Sequence, residues 1–108
     1  MKYKKLVRDR IPEIIKNNGE EPITRILTDD EYKLELEKKL LEEYNEVIES
    51  SGKDRIEELA DMLEVISALA IVEGESIDTV IEVAKQKTLK RGGFKDKIYL
   101  EGVNSSVK

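Results

Sequence analysis

From Leu59 to Val72 the chain reads LADMLEVISALAIV, and apolar residues fall on nearly every side of a helix drawn through it. A helix with one apolar stripe can rest on a protein surface, whereas one apolar all round must be covered on every side. The remainder of the 108 residues has the opposite character, with 40% of the whole chain charged and only 5% aromatic. That balance suits helices with salt-bridged outer faces and aliphatic interiors, and it predicts an all-α fold. The length supports one modest core, so a single domain over residues 1–103 is expected, with a frayed tail over 104–108. In so small a chain the other helices leave part of the apolar one bare, which predicts a homodimer or homotetramer.

Punctuation along the chain places four helices. RDRIPEIIKNNG reads as a short first helix, with Asp9 as its N-cap, Pro12 in the first turn and Gly19 at its end. EEPITRIL is a connector with some extended character from Ile23 to Leu27. In TDDE, Thr28 and Glu31 have the spacing of a capping box, so a second helix starts there and runs to about Ser50, where SSGKD stops it. The apolar helix then occupies about Lys53 to Glu73. Ser76 caps a fourth, SIDTVIEVAKQKTLKR, closed by Gly92 and Gly93, and the C-terminal residues FKDKIYLEGVNSSVK read as extended. The expected architecture is a four-helix bundle with an antiparallel central hairpin, completed by oligomerisation.

Composition removes several chemistries. The chain has no cysteine and no histidine, which excludes disulfides, Cys/His zinc sites, Ser-His-Asp and Cys-His catalysis and imidazole acid–base work. Any metal ligands are then oxygens, which favours magnesium or manganese. A net charge of -5 argues against duplex nucleic acid as a partner. No apolar run is long enough to span a bilayer, and MKYKKLVRDR is not followed by a signal-peptide core, so no membrane partner and a cytoplasmic location are expected.

Acidic pairs three residues apart recur throughout a chain with 24 Asp and Glu, and most are explained by a solvated helix face. The stretch EEYNEVIESSGKDRIEELAD is a special case. If the helices fold back about Gly52, residues equidistant from it face each other: Glu46 and Glu58 lie six residues away on either side, Glu43 and Asp61 nine. Glu43 also shares a stripe with Leu36, Leu40 and Val47, and Asp61 sits inside the apolar run, so these carboxylates point inward. Inward carboxylates repel one another and resist desolvation unless protonated or bridged by a cation. A divalent ion answers both problems. Glu42, Glu57 and Glu64 are secondary candidates, equally suited to pairing with lysine.

Two basic clusters accompany them: Lys5, Arg8 and Arg10 near the start, and Lys87, Lys90 and Arg91 at the end of the fourth helix. Helix-dipole pairing and solubility account for such charges taken singly. Together with an inward acidic site they make the set that polyphosphate chemistry uses, metal to clamp phosphate oxygens and Lys or Arg to neutralise the leaving group. Tyr3, Phe94 and Tyr99 are aromatics with packing or base stacking as alternatives.

The motifs Glu43-Tyr-Asn-Glu46 and Glu58-Leu-Ala-Asp61 on successive helices resemble those of the all-α NTP pyrophosphatase superfamily, which includes MazG, the dimeric dUTPases and phosphoribosyl-ATP pyrophosphohydrolase. KLVRDRIPEII and KRGGF resemble the two ends of a small stand-alone MazG-like subgroup, so the likeness spans about Lys5 to Leu100. Eleven residues separate the acidic pairs, at or just below the short end of the family's usual spacing, and there is no second catalytic domain. The resemblance implies Glu43, Glu46, Glu58 and Asp61 as magnesium ligands. It also implies cleavage of a nucleoside triphosphate between the α and β phosphates, in a house-cleaning role against non-standard nucleotides. On both lines together, Lys87 and Arg91, with Arg8 and Lys5 in support, are expected to hold the departing pyrophosphate. Phosphoribosyl-ATP hydrolysis in histidine biosynthesis and a non-catalytic oligomerisation module stand as the alternatives.

Overall fold

The computed structural model describes residues 4–105. Tyr3 and the last three residues of the expected tail lie outside them. Four helices form, α1 (Ile11–Asn17), α2 (Asp29–Glu49), α3 (Gly52–Val72) and α4 (Ile77–Arg91), with no strand among the described residues. The fold is all-α. The chain divides into two compact units, one reaching to Ile77 and the other beginning at Asp78.

In the first unit the start of α1 departs from expectation. Asp9 is not the cap; Arg10 occupies that position and its side chain makes no capping bond. The cause is a turn closed by the Ile11 N–H donating to the Arg8 carbonyl at 3.1 Å, which encloses Asp9 instead of leaving it at the helix mouth. Pro12 sits in the first helical turn as expected, where no N–H is required. Gly19 takes φ 86° after the helix, and the Glu20 N–H reaches back to the Ile15 carbonyl at 3.1 Å, a left-handed closure that glycine accommodates without strain. The connector that follows forms no strand, and Ile23 and Ile26 stand almost fully exposed.

The start of α2 is as anticipated from TDDE. The Thr28 hydroxyl accepts from the Glu31 N–H at 3.2 Å and the Glu31 carboxylate accepts from the Thr28 N–H at 3.0 Å, the reciprocal capping box. Arg25 adds a two-pronged grip on Glu31, at 3.1 and 3.0 Å. Ser50 and Ser51 then link two 21-residue helices, and α2 and α3 pack against each other as an antiparallel hairpin. The Arg55 guanidinium donates to the Ser50 carbonyl at 2.9 Å and ties the start of α3 to the end of α2.

Leu36 of α2 and Val65 and Ala70 of α3 are the buried apolar residues. As expected for so small a chain, α3 is not covered on every side: Ile56, Leu59, Leu63, Ile71 and Val72 remain exposed, as do Leu34, Leu41, Tyr44 and Ile48 on α2.

In the second unit, α4 ends where Gly92 adopts φ 82° and its N–H donates to the Thr88 carbonyl at 2.8 Å. A turn closed by the Lys97 N–H on the Phe94 carbonyl follows, and the described residues beyond it are irregular. Phe94 and Tyr99 are exposed. No helix among the described residues is long and apolar enough to cross a membrane.

Candidate metal centre

The hairpin brings carboxylates together because α2 and α3 separate by only two residues and then run back along each other. Glu43, on the stripe that also holds buried Leu36, meets Glu58 and Asp61 of α3, and one carboxylate oxygen from each lies within 4.8 Å of the others. All three residues are half-buried. Glu46 is exposed and is not one of these three mutually close carboxylates, although its charge is felt at Glu43 and, ahead of that of Asp61, at Glu58.

The electrostatics are those of a crowded anionic cluster. Glu43 is pushed above the ordinary carboxylate value, first by burial and then by repulsion from Asp61, with Lys39 pulling the other way. Glu58 is also raised, by desolvation first and then by Glu46 and Asp61. An all-oxygen donor set of this kind fits magnesium or manganese and suits neither zinc nor copper. Glu43, Glu58 and Asp61 are the residues that would hold such an ion.

The basic residues fall into different places. Arg8 Nη2 donates to Asp61 Oδ1 at 2.8 Å, across 53 residues of sequence, with both side chains about half exposed. Lys5 is exposed three residues before it. Arg10 is engaged with Glu13 at 3.0 Å. Lys87 and Arg91 are exposed on α4, in the second unit. Among the secondary acids, Glu42 pairs with Lys39 at 3.5 Å, the lysine partnership considered for it, while Glu57 and Glu64 are exposed.

Lys39 was not singled out from the sequence, yet it neighbours both Glu42 and Glu43, and its side chain is 22% exposed. Its position four residues before Glu43 on one helix is the signal that points to it. A groove of about 450 Å³ lined by Pro12, Glu13, Lys16, Asn17, Glu21 and Pro22, among others, lies along α1 and the connector; none of the candidate residues lines it.

No protein-family model matches the chain, and no solved structure matches it. A Mycolicibacterium smegmatis protein described as uncharacterized is 49% identical over 49 residues, a stretch that covers 45% of this chain and 50% of that relative. The chain thus matches about half the length of this relative, whose description assigns no activity.

Proposed function

We propose that this chain is a metal-dependent nucleoside triphosphate pyrophosphohydrolase, converting a nucleoside triphosphate and water to a nucleoside monophosphate and pyrophosphate. The observation that carries the reading is the approach of Glu43, Glu58 and Asp61 to within 4.8 Å across the hairpin. Three half-buried anions this close are unfavourable by themselves and become favourable around a divalent cation. The family resemblance of the motifs supplies the reaction, and house-cleaning of non-standard nucleotides is the role it suggests.

When bound, magnesium shields the phosphate oxygens and acidifies a water molecule. The chain's own contribution begins with Glu43, Glu58 and Asp61, which would hold the ion across the hairpin. Glu46 is the fourth ligand that the resemblance implies, and one of these glutamates would orient the attacking water. The basic residues assigned to the departing pyrophosphate are Lys87 and Arg91, with Arg8 and Lys5 in support, on the sequence reading and the resemblance together. The assembly is a homodimer or homotetramer acting in the cytoplasm.

The decisive assay follows pyrophosphate, separately from orthophosphate, from ordinary and damaged nucleoside triphosphates and phosphoribosyl-ATP, with magnesium or with chelator. Magnesium-dependent pyrophosphate release is expected, reduced at least about a hundredfold in Glu43→Gln and Asp61→Asn, on the scale that loss of ligand charge has in such sites. Full activity in both variants would overturn the site. Preference for phosphoribosyl-ATP would select the biosynthetic alternative, and no release from any substrate would leave a helical oligomerisation module.

A further inference from the structure

Arg8 is a long-range ionic partner of the acidic cluster, and it comes from the segment before α1. Its contact is end-on, a single Nη2 to Oδ1 bond at 2.8 Å, not the two-pronged fork that Arg25 makes with Glu31. A single bond between half-exposed groups is easily exchanged, whereas a fork resists exchange. The acid it holds is one of the three that converge, so guanidinium and metal ion seek the same anionic charge.

We infer that Arg8 is the internal counter-cation of the acidic cluster in the metal-free protein, and that divalent metal displaces it from Asp61. The inference rests on the reading of the cluster as a metal centre. Before a metal arrives, Arg8 partly neutralises Asp61, one of the three converging carboxylates, while Lys39 does so at Glu43. Once a dication lies among them, the guanidinium is repelled by it and its hold on Asp61 is weakened, because the carboxylate's charge is shared with the ion. The released guanidinium carries a planar array of donors suited to phosphate. Metal occupancy therefore sets the availability of Arg8 to an anionic ligand: bound to Asp61 without metal, free for phosphate with it. Arg8 is in this sense a positioning residue of the empty cluster and a phosphate-binding group of the loaded one.

The test is manganese affinity, measured by isothermal titration on the full chain after chelator treatment, for wild type, Arg8→Gln and Arg8→Lys. Removing a positive charge beside a dication in a half-exposed site is expected to tighten manganese binding about three- to tenfold in Arg8→Gln. Arg8→Lys, which keeps the charge, is expected to stay within about twofold of wild type on the same argument. Unchanged or weaker binding in Arg8→Gln, while wild type binds, overturns the inference and leaves the metal centre standing. Failure of wild type itself to bind manganese overturns both. Should Arg8→Gln not fold, the Arg8 side-chain Nε–H resonance of wild type, assigned with Arg8→Lys, decides. A shift toward the position of a solvated guanidinium as magnesium is added supports displacement, and a resonance that does not move overturns it.

Discussion

Glu43 and Leu36 share a stripe of α2, yet burial does opposite things to them. For Leu36, 3% exposed, it is the source of packing energy; for Glu43 it disfavours the charge and lifts the carboxyl above its ordinary value of 4.5. A carboxyl raised in the folded state contributes stability that is fully present below the unfolded value and lost as pH rises through the folded one. The metal-free protein should therefore melt higher as pH is lowered from neutrality toward about 4.5. Glu43→Gln should raise the melting temperature of the chelated protein at pH 7 and remove part of that pH dependence. Magnesium should reverse the ranking, stabilising wild type more than the variant, and thermal denaturation with and without chelator checks both statements. The approach of Glu43 to Asp61 was legible from their equal distances to Gly52, whereas that of Glu43 to Glu58 was not. Nor was the absence of Glu46 from the mutually close trio, because counting from the turn treats helices as ladders. A step of three residues rotates a side chain by about 300°, leaving it about 60° off the direction of Glu43. Arg8 was beyond such counting, since its pairing depends on the tertiary path of the chain before α1.

At the scale of elements, α2 shows local chemistry agreeing with the fold at every level. Thr28 and Glu31 form the capping box, Asp29 and Asp30 add charge favoured by the helix dipole, and Arg25 locks Glu31 in place. This element was legible because its signals lie within a few residues of each other. The cap of α1 was misread for the complementary reason: Asp9 is the side-chain acceptor there, but the turn at Arg8 to Ile11 moves the helix start to Arg10, whose side chain makes no capping bond. Thr28→Ala should cost about 1 kcal/mol of stability in chemical denaturation. The hydrogen bond from Arg25, followed by that from the Thr28 backbone, lowers the Glu31 carboxyl from 4.5 to about 2. Its contribution is then present above about 4.5 and lost as pH falls toward about 2, softened by solvent at this exposed site. The destabilisation caused by Glu31→Gln should accordingly shrink across that interval and be small at its lower end, which denaturation at a series of acidic pH values would record.

For the whole molecule, the composition of α3 announced its need for cover, and a single chain leaves much of that need unmet, with Ile56, Leu63 and Ile71 among the exposed residues. Periodicity shows that an apolar face exists without showing what lies on it, so the all-α class and the hairpin were legible while the covering partner was not. Light scattering coupled to size exclusion should return at least twice the 12.4 kDa of one chain, and a monomeric mass would remove the oligomer from the proposed function. The two-residue link between α2 and α3 carries one more consequence. Because the length of the link sets which acids on its two sides meet, it acts as a gauge of register. One residue inserted between Glu46 and Ser50 turns the preceding acids by about 100° relative to α3 while leaving every motif spelled as before. Natural length changes in this hairpin should therefore come in steps that restore helical phase, and two chains with identical acidic motifs can differ in whether they possess a site at all.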